Sequence, residues 1–378
     1  MIPVMKPWLG AEEARAAAEA VESGWVAQGP HVASFEEAFA DRVGAPFGIA
    51  VSSCTTALHL ALHLLDVGAG DEVVVPSFSF IATTNVVRYV GAEPVFADVD
   101  VRTGNLTAAT VERVLTDRTR AVIVVHQGGV PADLEPLRRL GAAHRIELVE
   151  DAACAAGSTY RGAPVGAGAR LAAWSFHPRK LLTTGEGGML TTDDERLATR
   201  ARRLREHGMS VSAADRHRSR RPVIESYREV GFNYRMTDIQ AAVGEVQLRK
   251  LDAMVGRRRE LAARYRELLG RVPGLRPVRD PAWGTSNFQS FWVEVEPDFP
   301  LTRDALLAHL AERGISARAG IMAAHRQPAY AGHRHGDLSA TERLTDNTLI
   351  LPLFHAMTVE EQDAVVSALH VDTRRRAA

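Results

Sequence analysis

The chain has 378 residues, 46% hydrophobic and 24% charged, an ordinary globular composition long enough for two domains. Forty-five Lys and Arg stand against forty-six Asp and Glu, a net charge of −1 that gives no sign of a nucleic-acid or membrane-surface partner. No apolar run approaches the roughly 18 residues of a membrane span, Met1 to Pro7 lacks the apolar stretch of a signal peptide, and Cys54 and Cys154 make neither a disulfide framework nor a CxxC metal site, so a reducing, cytoplasmic setting is expected.

Short apolar runs alternate with helical stretches through the first two-thirds of the chain. Phe47 to Val51, Glu72 to Val75, Pro94 to Ala97, Ala121 to Val125, Ile146 to Val149, Leu171 to Phe176 and Gly188 to Thr191 read as strands. Helices are predicted over Thr55 to Leu65, Phe80 to Tyr89 and Leu134 to His144. Strands apolar on both sides and separated by helices predict a mostly parallel sheet covered on both faces, an α/β domain of several crossovers. The texture then changes to an arginine-rich helix, Asp193 to Glu206, and a basic loop, Asp215 to Arg221. Helical periodicity returns from Thr237 to Leu269, with Thr237 or Asp238 as its cap. A strand over Gln289 to Val295 and helices over Arg303 to Arg313 and Val359 to Leu369 follow. The expected organisation is a large α/β domain over residues 1–256 and a smaller α+β domain over 257–378.

Four features fall at the ends of these strands, where open parallel sheets bind ligands. Ser52-Ser53-Cys54-Thr55-Thr56 opens a helix and reads either as a plain cap or as a phosphate-holding N-terminus. Glu150-Asp151 ends an apolar strand, where a carboxylate pairs with a cationic ligand or caps the next helix. Ser175-Phe176-His177-Pro178-Arg179-Lys180 leads into the glycines of Gly185-Glu186-Gly187-Gly188; a lysine enclosed there would have a lowered pKa and be a nucleophile able to form a Schiff base. Gly231-Phe232-Asn233-Tyr234-Arg235-Met236-Thr237 precedes the long helix and reads as a site or an interface loop. His333 and His335 have no further ligands spaced around them, and no metal site is expected.

With Ser23-Gly24-Trp25, Gln28-Gly29-Pro30 and Gly70 to Phe78 added to these motifs, the sequence resembles the pyridoxal-phosphate-dependent nucleotide-sugar aminotransferases of the DegT/StrS type, of fold-type I, from Pro3 to the last helix. The resemblance implies pyridoxal 5'-phosphate as cofactor, with its pyridoxamine form as intermediate. It makes Lys180 the Schiff-base lysine and proton carrier, Asp151 the partner of the protonated pyridine nitrogen, and Phe80 the ring stacked on the cofactor. The backbone at Cys54 and Thr55 and the Ser175 hydroxyl would hold the phosphate. Asn233 would reach the phosphate of the neighbouring subunit of a homodimer, and His325 would line the sugar pocket. In the basic loop Arg218, with Arg216, Arg220 and Arg221, is the candidate for a nucleotide diphosphate.

Three positions depart from the family pattern. Cys54 stands where glycine or alanine is usual, Cys154 where glutamine or histidine is commoner, and His126-Gln127-Gly128-Gly129 where bulkier residues are usual. The expected reaction is ping-pong transfer from glutamate or glutamine to a keto group of a nucleotide-linked sugar. The alternatives are a keto-cyclitol acceptor, a sugar dehydratase on the same scaffold, and a cofactor-binding regulatory protein; Lys180 argues against the dehydratase, which carries histidine there.

Overall fold

Apolar runs bounded by turns become strands because a sheet covered on both faces buries every residue of the run. In the computed structural model, which describes residues 1–211, 222 and 224–371, these strands are β1 (Phe47–Val51), β2 (Glu72–Pro76), β3 (Glu93–Ala97), β4 (Thr119–Val125), β5 (Glu147–Asp151), β6 (Thr159–Tyr160), β7 (Ala163–Pro164), β8 (Ala172–Ser175) and β9 (Gly188–Thr192). Seven form one sheet in the order β1-β9-β8-β5-β4-β2-β3. Within it β9 runs antiparallel to both neighbours, and the other pairs are parallel. The expected mostly parallel α/β sheet is therefore present.

Alternate residues of each strand enter opposite cores. Val74, Val122, Val124 and Trp174 join one, with Phe35 and Phe39 of the helix Pro30–Val43. Val73, Val75, Ile123, Val149 and Ala173 join the other, with Leu58 and Leu62 of the helix Cys54–Leu64 and Leu204 of the helix Glu195–Leu204. Both helices before β1, Ala11–Glu22 and Pro30–Val43, lie outside the predicted elements.

The long helix Asp238–Leu269 resolves the choice between its two caps. Thr237 Oγ1 accepts from Gln240 N, capping its own helix. Asp238 caps the other one: its carboxylate accepts from Gly29 N at 2.8 Å, His31 N at 3.2 Å and Val32 N at 2.9 Å. The helix runs without a break through residues 256 and 257. Its C-terminal half packs Leu261 and Tyr265 beside Phe291 of a four-stranded antiparallel sheet made of Leu275–Pro277, Phe291–Val295, Thr348–Leu351 and Arg318–Ala319. Ile2 bridges Ile315, and Trp8 stacks on His355 at 4.4 Å, so these early residues pack with the C-terminal part.

Candidate active site

Three strand ends meet at one rim of the large sheet. β1 and β8 end where β9 begins: Val51 and Ser175 both pair with Gly188. A side chain at Gly188 would sit about 2.5 Å from Cys54 N, so only glycine lets β9 pass this close beneath the start of the helix Cys54–Leu64. Ser53 caps that helix, accepting from Thr56 N, while Ser53 N is taken by Thr56 Oγ1. The capping box leaves the N–H groups of Cys54 and Thr55 for a ligand at the positive end of the helix dipole. The cap reading and the phosphate reading are thus compatible. Burial pushes the Cys54 thiol well above its ordinary range, so it is a neutral, inert group there.

A cavity of about 280 Å³ opens at this rim, lined among others by Cys54, Thr55, Phe80, Asp151, Ser175 and Lys180. Six of the sequence-predicted residues therefore share one space. Phe80 leaves 63% of its surface exposed above it. Asp151, the last residue of β5, is buried; its Oδ2 accepts from Thr83 Oγ1 at 2.9 Å and its Oδ1 from Ala153 N at 3.2 Å. No helix follows it, so the carboxylate closes a local turn instead of capping. Ser79 lies 2.9 Å from Thr83 Oγ1 and donates to it, completing a short relay. Burial raises the Asp151 pKa, with the Thr83 and Ala153 hydrogen bonds pulling the other way.

Lys180 follows β8 on the connection to β9, half-buried, with Nζ 3.0 Å from Cys154 Sγ. The expected lowering of its pKa is corrected. Burial, the largest single influence, acts in that direction, but the contact with Cys154 and the nearby Asp151 together outweigh it, and the amine is held above its ordinary range. The backbone around it is pinned from afar: Gln289 accepts from Leu181 N at 2.9 Å and donates to Arg179 O at 2.5 Å.

The remaining expected residues lie elsewhere. Asn233 is exposed and does not line the cavity; Phe232 and Tyr234 on either side stack ring on ring at 4.8 Å, and Tyr234 O accepts from Ser52 N at 2.8 Å. His325 sits between Ser77 Oγ at 2.7 Å and Glu342 at 3.3 Å, off the cavity wall. Burial holds it below the ordinary histidine range. Arg218, with Arg216, Arg220 and Arg221, lies outside the described residues. In the divergent segment, Gln127 lines the cavity and donates to Phe78 O at 2.6 Å, while His126 is fully buried against Glu150. Sequence reasoning did not single out Thr83 or Gln289. Thr83 carried a weak signal, one helical turn beyond Ser79; Gln289 carried none, because its partners are remote in the chain. No group of three or more His, Cys, Asp or Glu is arranged to hold a metal among the described residues, and no helix there is long and apolar enough to cross a membrane.

A family model described as the DegT/DnrJ/EryC1/StrS aminotransferase family matches residues 7–370. Among solved structures, the aminotransferase TlmJ from Streptoalloteichus hindustanus is 39% identical over 98% of both chains, with a TM-score of 0.90. The sugar aminotransferase CalS13 from Micromonospora echinospora is 30% identical over 98% of this chain and 99% of its own, with a TM-score of 0.88. Spr1654 from Streptococcus pneumoniae, solved in a PMP form, is 27% identical over 98% of both chains at a TM-score of 0.92, and its PLP form superposes at 0.90. With the match running through nearly every element described above, the chain belongs to the DegT/DnrJ/EryC1/StrS aminotransferase family.

Proposed function

We propose that this aminotransferase moves the amino group of glutamate or glutamine onto a keto group of a nucleotide-linked sugar, in ping-pong fashion, as a cytoplasmic homodimer. The observation that carries the reading is the enclosure of one amine, Lys180, and one buried carboxylate, Asp151, in the cavity that ends at a free helix N-terminus. The residues fit pyridoxal phosphate: an anion cradle at Cys54 and Thr55, an aromatic face at Phe80, and a carboxylate whose burial asks for a cationic partner. When bound, that cofactor supplies an aldehyde that condenses with amines and a cationic ring that takes up electrons from the donor's Cα.

In this reading Asp151 holds a proton on the ring nitrogen, and Thr83 and Ala153 N–H hold Asp151 in line. Lys180 would anchor the cofactor, and its free Nζ would take the proton from the donor's Cα. Ser175 and the N–H groups of Cys54 and Thr55 bind the phosphate. Asn233, between two inward-turned rings, serves the cavity of a second copy. The sugar side is assigned to His325 and Arg218, and the boundary near residues 256 and 257 is taken as the division between cofactor and small domains.

Glutamate or glutamine added to the cofactor-loaded protein is expected to convert the visible absorbance to that of the pyridoxamine form, and a nucleotide-linked keto-hexose to restore it. A spectrum inert to both donors would overturn the proposal in favour of a regulatory protein. Thr83→Val removes a hydrogen bond to a buried carboxylate worth about 1.5–3 kcal/mol. It is expected to weaken cofactor binding roughly ten-fold or more, read by absorbance titration of the cofactor-free protein.

A further inference from the structure

The amine of Lys180 has its hydrogen bond to the sulfur of Cys154, while both carboxylate oxygens of Asp151 are taken by Thr83 and Ala153 N–H. The amine's hydrogen bond thus goes to the sulfur and not to the carboxylate. This contact is built from two sides by one segment. Asn287 Nδ2 donates to Cys154 O and Ala156 O, each at 2.8 Å, and Asn287 Oδ1 accepts from Gln289 N at 2.8 Å. Gln289 in turn holds the backbone on both sides of Lys180, through Arg179 O and Leu181 N. The clamp is itself fixed: Asn287 and Gln289 are buried, and the guanidinium of Arg258 donates to Phe288 O and Gln289 O at 2.8 Å each. Gly129 makes room for it, since a side chain there would fall on Asn287 Oδ1.

We propose that Cys154 is a positioning residue for Lys180, its sulfur accepting the Nζ hydrogen bond and parking the amine on the cavity wall whenever the lysine is not joined to the cofactor, at a distance set by the Asn287–Gln289 clamp. A thiol suits this task because it is a weak acceptor. It gives the amine a partner without the strong ion pair that a carboxylate would make, so the amine leaves readily to react. Amine and carboxylate are thereby kept for separate tasks, the amine for bond formation and proton transfer, the carboxylate for the ring nitrogen.

The inference rests on Lys180 being the cofactor-bearing lysine, and the experiment separates the two claims. The charged or titratable groups facing Nζ are Cys154 and Asp151 from β5 and the turn after it and Cys54 from the helix Cys54–Leu64, with His177, Arg179 and Glu186 on the same cavity wall. In the cofactor-free protein, labelling of Lys180 by cyanate is followed by peptide mass spectrometry as a function of pH in the parent, Cys154→Ala and Cys154→Ser. The expected result is a labelling midpoint for Lys180 displaced to lower pH in Cys154→Ala and returned part of the way in Cys154→Ser, which retains a small hydrogen-bonding group. In the loaded enzymes kcat is expected to fall about five- to ten-fold in Cys154→Ala with KM for the donor little changed, the pattern of a mislaid proton carrier. Loss of the cofactor's visible absorbance in both Cys154 variants, with Lys180→Ala retaining it, would defeat the assignment of Lys180 itself. Retained absorbance together with an unmoved labelling profile in Cys154→Ala would overturn the role of the thiol. If Cys154→Ala does not fold, the labelling midpoint of Cys154→Ser decides, because a midpoint equal to the parent's refutes the proposal.

Discussion

Lys180→Ala is expected to abolish turnover and the visible absorbance of the bound cofactor while leaving a folded protein. The first part follows from chemistry. On the proposed assignment the substitution removes the covalent anchor, and loss of a positioned proton carrier alone costs about 10²–10⁴ in rate. The second part follows from structure: the side chain is half-buried, and its one hydrogen bond among the described residues goes to Cys154, so folding loses little. Stability of the cofactor-free protein is expected to stay within about 1 kcal/mol of the parent. Cofactor retained by other contacts would wash out on dialysis. A variant that turned over glutamate at the parent rate would end the assignment, and one that unfolded would point to a structural role.

Asp151→Asn should separate two effects that point in opposite directions. Burial raises the Asp151 pKa, so the native cofactor-free protein keeps a proton that the unfolded chain has already released. Stability therefore falls as pH rises from the ordinary carboxylate range through the raised value, and above it the full cost of burying a charge is felt. Asparagine has no such cost. The cofactor-free variant is expected to melt above the parent at neutral pH, with the gap closing in acid. In the loaded protein the order is expected to invert, because on the proposed assignment the parent then pairs its carboxylate with a cationic ring. The kcat/KM of the variant is expected to fall about 10²–10³-fold, the range for losing one preorganised electrostatic contact in a dry site, with the visible absorbance retained. Melting curves with and without cofactor at two pH values check all of this, and a variant less stable at every pH without cofactor would refute the argument.

The strand positions were legible because burial on both faces leaves an unbroken apolar run, and β1 was read with its bounds intact. Asp151 and Lys180 stood out as polar groups placed where such runs end. Directions were harder. The run Gly188 to Thr192 looks the same in either direction, and the helix-free connection after Ser175 does not decide it, because β5 and β8 are parallel with no helix between them. The support of the site was not legible. Asn287 and Gln289 act through single side-chain bonds to backbone far away in the chain, and neither periodicity nor composition registers such a contact. The expected pKa of Lys180 failed for a related reason: burial was readable, but the sulfur beside the amine comes from another turn.

The reversed strand β9 also sets an order of events. β1 meets the rest of the large sheet through β9 and no other strand, so Phe47–Val51 waits for Gly188–Thr192 to arrive before it can pair. Loop closure over that separation is slow compared with local hairpins and helices. The start of the helix Cys54–Leu64 and the segment that carries Lys180 are thereby tied to one strand, since Val51 and Ser175 both pair with Gly188 of β9.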